Sequence, residues 1–228
     1  MFPLNSANDP LDKQKTEITM KKSLAVLGVV FTAGMMSVPT YAGPSLYISG
    51  NIGAASFSDI NQKTPVTQVT EGTISTKAGI NVTGAVGLKC CVTNIRLEAE
   101  YGYQRNNADT IKMRFGTFPL TGNYSVSSYM ANGYYDIKAG PVNPYLTAGI
   151  GLAEVGVHNV PNPPDIIDET HSALGYQFGA GLAIPVTSTI DIDARYRYFG
   201  TSTVTLSNNN GNFILPGNSF LIGLRVGL

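Results

Sequence analysis

The chain has no tryptophan, only two histidines and two cysteines, and few charges for its 228 residues. Charged side chains make up 13%, against roughly 25% in an average soluble domain, too few to coat a water-facing surface of this size. The formal net charge is zero, which removes the basic footprint a nucleic-acid partner requires. No apolar run after residue 42 approaches the roughly 20 residues of a membrane helix, so any span must be made of strands. Cys90 and Cys91 are neighbours. A bridge between adjacent residues is strained, because disulfides favour Cα separations beyond the 3.8 Å of a trans peptide. No metal-ligand spacing surrounds them. The pair reads as small residues near a turn, and no metal or cofactor is expected.

What the chain does have is alternation. In Ile95-Arg96-Leu97-Glu98-Ala99-Glu100-Tyr101-Gly102-Tyr103-Gln104, apolar residues interleave with polar or small ones. The stretch from Ile190 to Tyr198 repeats the pattern, with Asp191, Asp193, Arg195 and Arg197 at the alternate positions. Successive strand side chains point to opposite faces, so each segment has one greasy and one charged face.

The N-terminus carries the grammar of an export signal. Met20-Lys21-Lys22 is basic, the segment from Ser23 to Val38 is uncharged, and Pro39 precedes Thr40-Tyr41-Ala42. Cleavage is expected after Ala42, with residues 1–19 an upstream extension before the true start and 43–228 the mature chain. The mature part retains 11 basic and 12 acidic residues. Export combined with alternating strands points to the bacterial outer membrane.

From Gly43 onward, period-two reading gives eight candidate strands: 45–58, 78–90, 94–106, 122–138, 143–157, 173–186, 189–201 and 218–228. The connections after the second, fourth and sixth are tight, whereas those after the odd-numbered strands are long, polar or proline-bearing. Short turns at one end and long loops at the other are the build of an outer-membrane barrel. The predicted fold is an all-β, eight-stranded, antiparallel, up-and-down transmembrane barrel with both termini on the periplasmic side.

A lipocalin also has eight strands but turns its apolar face inward. Sparse charge, small residues on the greasy face (Gly50, Ala54, Gly84, Ala99, Ala148, Ala180), and aromatics near the long-loop ends favour the opposite facing. Those aromatics are Phe57, Tyr101, Tyr103, Tyr124, Tyr129, Tyr176, Tyr196, Tyr198 and Phe199, predicted as an interfacial girdle. The charged face then lines the lumen: Lys89, Arg96, Lys138, Arg195, Arg197 and Arg225 against Glu98, Glu100, Asp136, Asp191 and Asp193. Such mixed signs in a narrow interior read as a cross-linked plug, since an ion path would favour one sign. Arg225 is expected to meet Asp191 or Asp193, and Arg96 to approach Asp136.

At this point the chain resembles the small outer-membrane β-barrel family that includes opacity proteins, OmpA-like barrels and bacterial surface antigens. The resemblance rests on Leu46-Tyr47-Ile48-Ser49-Gly50, on the Arg-x-Glu-x-Glu-Tyr strand at 96–101, and on the Asn-x-Tyr-Tyr-Asp run at 132–136. Pro-Tyr-x-x-Ala-Gly-x-Gly at 144–151, Tyr176 to Ala183, and Asp191 to Gly200 complete it. The last strand, Phe220 to Leu228, looks like the signal read by the outer-membrane assembly machinery, although it ends in Leu228 and not in an aromatic residue. The resemblance implies a surface protein of adhesin or minor-porin type, in contact with outer-membrane lipid and lipopolysaccharide.

No enzyme is expected. The alternatives are a lipid A-modifying outer-membrane enzyme and a soluble periplasmic lipocalin-like carrier. His158 and His171 bracket the third long loop, with Asp165, Asp168, Glu169 and Ser172 beside them, but no elbow motif or metal spacing accompanies them. Partner contacts with a host surface or matrix protein fall to the loops 59–77, 107–121, 158–171 and 201–217. Their Asn-, Thr- and Pro-rich composition argues against a packed core. In the second loop Lys112, Arg114, Phe115 and Phe118 form a basic-aromatic candidate contact, with packing across the barrel mouth as the other reading.

Overall fold

The computed structural model describes residues 45–63, 70–90, 94–162, 165–205 and 212–228. The upstream extension, the export segment with its cleavage site, Cys91, the Pro163-Pro164 pair and the run 208–211 lie outside the described residues. Among the described residues thirteen strands occur, in the order β1 Ser45–Phe57, β2 Ile60–Lys63, β3 Thr70–Thr76, β4 Gly79–Lys89, β5 Ile95–Met113, β6 Gly116–Pro119 and β7 Asn123–Asp136. They continue with β8 Asn143–Asn162, β9 Asp165–Pro185, β10 Ile190–Thr201, β11 Val204–Thr205, β12 Asn212–Phe213 and β13 Gly217–Gly227.

Eight of these close a ring. β1 pairs antiparallel with β4 on one side and with β13 on the other. The circuit runs on through β4–β5, β5–β7, β7–β8, β8–β9, β9–β10 and β10–β13. Closure leaves no unpaired edge, as a lipid environment demands of strands. The tight turns are held locally: Thr187 Oγ1 accepts from the backbone N–H groups of Thr189 and Ile190, at 3.2 and 3.0 Å. The chain end is tied in by the Leu228 N–H, which donates to Leu46 O at 2.9 Å.

The facing follows the alternation. On β5, Arg96, Glu98, Glu100, Gln104 and Asn106 are buried, while Ile95, Leu97, Tyr101 and Tyr103 are exposed. On β13, Leu221 and Arg225 point inward and Phe220, Ile222 and Leu224 outward. These strands are greasy on the outer face and carry their charges on the inner one, the reverse of a lipocalin, so the soluble-carrier alternative does not fit.

The other five strands are features that period-two reading missed. β2, β3, β6, β11 and β12 form a second sheet with the far end of β5, in the order β11-β12-β2-β3-β5 with β6 on the other side of β5. We call this the crown. It stands at the long-loop end, where β5, β8 and β9 also run beyond their predicted limits of 106, 157 and 173.

The crown also corrects the expectation that the long loops resist a packed core. Ile60, Ile74, Val204, Phe213 and Leu215 join Val126, Met130, Ala153, Val155 and Val157 of the barrel in one buried apolar cluster. Phe57, Tyr124 and Phe199 belong to this cluster and so are not part of an outer girdle. The interior is therefore polar toward the short turns and apolar toward the crown.

Candidate functional site

The polar half of the lumen is built around two arginine clusters. Arg96, only 2% exposed, donates from Nε to Asp136 Oδ2 at 2.7 Å and from Nη1 to the Tyr47 hydroxyl at 3.1 Å. Its guanidinium lies 4.2 Å from the Tyr134 ring centroid and 5.2 Å from that of Tyr145, so aromatic faces replace part of its hydration. Room for these rings comes from glycine: a Cβ on Gly87 would strike the Tyr47 ring, and one on Gly181 the Tyr145 ring.

The second cluster centres on Glu100, which is 1% exposed. It accepts from Arg195 Nη2 at 3.0 Å, Arg197 Nη1 at 3.2 Å and Gln177 Nε2 at 3.2 Å. Arg195 reaches on to the Tyr134 hydroxyl at 2.7 Å and to Thr83 Oγ1 at 3.3 Å. Gln177 donates to Asn132 Oδ1 at 2.6 Å, and the Tyr145 hydroxyl donates to Asp193 at 2.7 Å. Glu98 accepts from Ser49 at 3.1 Å. At the short-turn end, Arg225 meets Asp191 at 2.8 Å through Nη2 and 2.9 Å through Nε. Buried charges in such a space persist only when paired or hydrogen-bonded: each of these arginines meets a carboxylate, while Glu98 and Asp193 are held by the hydroxyls of Ser49 and Tyr145.

Two predicted lumen residues are elsewhere. Lys138 is exposed, beyond the end of β7. Lys89 sits at the short-turn rim with its side chain 47% exposed, 3.8 Å from Asp191. Both lie at strand ends, where alternation no longer implies an interior. Four arginines therefore face Glu98, Glu100, Asp136, Asp191 and Asp193. The tyrosines and amides that complete the network (Tyr47, Tyr134, Tyr145, Gln177 and Asn132) were legible only as alternate positions. A cavity of about 10 Å³ remains among Ser49, Asn51, Arg96, Glu98, Tyr134, Tyr145, Asp193, Arg195 and Arg225, about the room one water needs.

On the crown, β5 and β6 form a hairpin in which Met113 pairs with Gly116 and Ile111 with Phe118. Lys112, Arg114, Phe115 and Phe118 are all exposed, Phe115 at 91% and Phe118 at 49%. The tip points into solvent, so the alternative of a loop folded over the mouth is not what the structure shows. The mouth is filled instead by the apolar cluster beneath.

The histidines part company. His171 pairs with Glu169 at 2.7 Å. His158 contacts Ser125 and Asp168, at 3.2 and 3.0 Å. Cys90 is exposed and unbridged. No group of three or more metal-ligating side chains is gathered among the described residues.

A closed ring of strands with an apolar exterior and a cross-linked polar interior defines an integral outer-membrane β-barrel. The family described as "Outer membrane protein beta-barrel domain" matches residues 25–226, and the chain belongs to that family, with the outer membrane as its location. The chain is 40% identical over 91 residues to the outer membrane protein PagN of Salmonella typhimurium, over 37% of this chain and 38% of that one. It is 26% identical over 135 residues to the 25 kDa outer-membrane immunogenic protein of Brucella melitensis, over 58% and 56% of the two chains. The matches thus span little more than half, or less, of these relatives' lengths. Among solved structures, Neisserial surface protein A superposes with a TM-score of 0.56 at 20% identity, covering 81% of this chain and 98% of that one. The outer membrane protease OmpT of Escherichia coli gives 0.50 at 11% identity, over 83% and 99%. At such identities these likenesses concern the fold alone.

Proposed function

We propose that this protein is a sealed surface barrel that braces the outer membrane and presents its crown to a partner outside the cell, as an adhesin does. The observation carrying this reading is the contrast between the two ends of one hairpin. The lower part of β5 is buried in the salt-bridged lumen, whereas the turn beyond its far end holds Phe115 in solvent at 91% exposure, next to Arg114 and close in sequence to Lys112. A solvent-facing aromatic among basic residues loses water favourably when it meets an anionic or apolar surface. A host protein, matrix component or lipopolysaccharide sugar has that chemistry. This role asks no catalysis of the lumen or the crown, and the small lumen cavity speaks against a porin. In this reading residues 20–42 direct export and are removed after Ala42, which a mass measurement of the mature N-terminus checks.

The test is adhesion of intact cells, or of refolded barrel, to host cells and matrix. Replacing Phe115 and Phe118 by Ser, with Lys112 and Arg114 by Gln, should cut adhesion at least several-fold while the folded band on a detergent gel is retained. Adhesion equal to the parent's after these changes would overturn the assignment.

A further inference from the structure

Three neighbouring strands bring a serine, a histidine and an aspartate into one chain of hydrogen bonds on the outer wall, away from both lumen and hairpin tip. Ser125 of β7 lies 3.2 Å from His158 Nε2 of β8, and His158 Nδ1 lies 3.0 Å from Asp168 Oδ1 of β9. A carboxylate only accepts, so Nδ1 carries a proton, and in the neutral imidazole Nε2 is then the acceptor of the serine hydroxyl. That is the order a nucleophile, a base and an orienting group require.

Two backbone features permit the contact. Gly156 is the ladder partner of Ser125, and a Cβ there would collide with both Ser125 Oγ and His158 Nε2. Glycine alone leaves the space in which the two side chains meet. Between Val157 and Val160 the β8–β9 register shifts, and Asn159 takes a φ of 52°. Such irregularities re-aim side chains, and this one lies beside the residue that crosses to Asp168.

The surroundings indicate a substrate. Ser125 stands two ladder positions beyond Tyr129 and Leu152 on the same outward face, with Ser127 and Glu154 between them. At about 3.3 Å per residue on a tilted strand, that is about 10 Å above the edge of the apolar band. Arg105 is exposed directly opposite Ser125 on β5 and makes no ion pair among the described residues. Below lie the rings of Tyr101 and Tyr129, 5.3 Å apart, and Ile150. An acyl chain fits the band below, and an anionic head fits Arg105.

We propose that Ser125, His158 and Asp168 form a hydrolytic site for the carboxylic ester of an anionic amphiphile of the outer leaflet. His158 Nε2 takes the Ser125 proton as Oγ bonds to the ester carbonyl carbon. The carbon–oxygen bond to the leaving alcohol then breaks, and His158 returns the proton to that oxygen. Water, deprotonated by His158, attacks the acyl-serine to release a fatty acid and restore Ser125. Arg105 is placed to hold the anionic head. This activity is separate from the contact role of the crown and does not depend on it.

The test uses the full barrel folded in vesicles. A fluorophosphonate probe should form an adduct on Ser125, located by peptide mass, and Ser125→Ala should abolish it. Asp168→Asn and Gly156→Ala should slow adduct formation by at least about 100-fold, as loss of base assistance does. His171→Gln should leave the rate unchanged. Fatty-acid release is followed in two arms, phosphatidylglycerol vesicles and purified lipopolysaccharide, and release in either arm supports the site and names its source. Absence of an adduct on folded wild-type protein, an adduct on Ser127 in place of Ser125, or equal rates in Asp168→Asn and wild type would overturn the proposal. An adduct on Ser125 without fatty-acid release in either arm would overturn the ester assignment.

Discussion

Replacing Glu100 by Leu tests the lumen at its most demanding point. The carboxylate is 1% exposed and holds Arg195 and Arg197, both 3% exposed in their side chains, at 3.0 and 3.2 Å. Truncating one member of a buried ionic cluster costs about 3–5 kcal/mol, because the remaining charges stay dehydrated without a counter-charge. Both cations here lose the same partner, so the upper half of that range is expected. Removing the cations as well, in Glu100→Leu with Arg195→Met and Arg197→Leu, should recover a large part of the loss. Recovery stops short of complete because Tyr134 and Thr83 lose a donor, at about 1 kcal/mol each. Unfolding by guanidinium in lipid vesicles, followed by far-UV circular dichroism and by the unboiled gel band, reads both values; the chain has no tryptophan to report on folding. A single-variant loss below about 1 kcal/mol would refute the claim that this cluster is dehydrated and mutually dependent. So would a triple variant less stable than the single one.

At the short-turn end, Arg225→Met should lower stability by about 1–4 kcal/mol, the smaller part of that range being favoured by Lys89, 3.8 Å from the same Asp191. Lys89→Met itself should change stability by less than about 1 kcal/mol, because the lysine side is 47% exposed and its contact with Asp191 is long, at 3.8 Å; the same unfolding assay reads both. Gly87→Ala should destabilise by about 1–3 kcal/mol, since the new methyl would displace the Tyr47 ring from Arg96. Gly84→Ala, with nothing within 4 Å of its Cβ position and an outward facing, should be neutral within about 0.5 kcal/mol. Planar bilayers should show no large, stable open channel, because the lumen is filled by the arginine network below and the apolar cluster above.

The ring of eight strands was legible because the lipid and lumen faces differ in chemistry at every step. Ile95 to Gln104 alternates for this reason, and its register follows directly. Alternation faded where both faces meet water or protein: β2, β3, β6, β11 and β12 carry short polar sequences such as Ile60-Asn61-Gln62-Lys63, in which no period stands out. The pair of Arg225 with Asp191 was readable because the two face each other on adjacent strands, and that of Arg96 with Asp136 because they lie diagonally on neighbouring strands. The pairs of Arg195 and Arg197 with Glu100 cross the lumen between strands that are not neighbours, which alternation alone does not reveal. Completion of the network by Tyr47, Tyr134 and Tyr145 was not readable either, because a tyrosine on a strand reads equally as girdle or lumen. Phe57, Tyr124 and Phe199 show the same ambiguity resolved the other way. The partner of His158 was unreadable because Ser125 lies 33 residues away and the contact depends on a glycine and a register shift.

The division of the interior has a physical consequence for how the wall and crown can differ in use. Salt-bridged groups make the lower ring a rigid frame, because Arg195 and Arg197 tie β10 to β5 across the lumen while Arg96 and Arg225 fasten neighbouring strands. The apolar cluster above is less directional: packing tolerates volume-conserving exchange among residues such as Val126, Val155 and Leu215. Crown strands resting on that cluster can change sequence on their outer faces without disturbing any buried charge. The outer wall between Tyr129 and the crown has no such freedom, since Gly156, His158 and Asp168 are coupled through one contact chain. Variation at the hairpin tip and constancy at that wall patch are therefore compatible demands on the same barrel, met by two kinds of interior support.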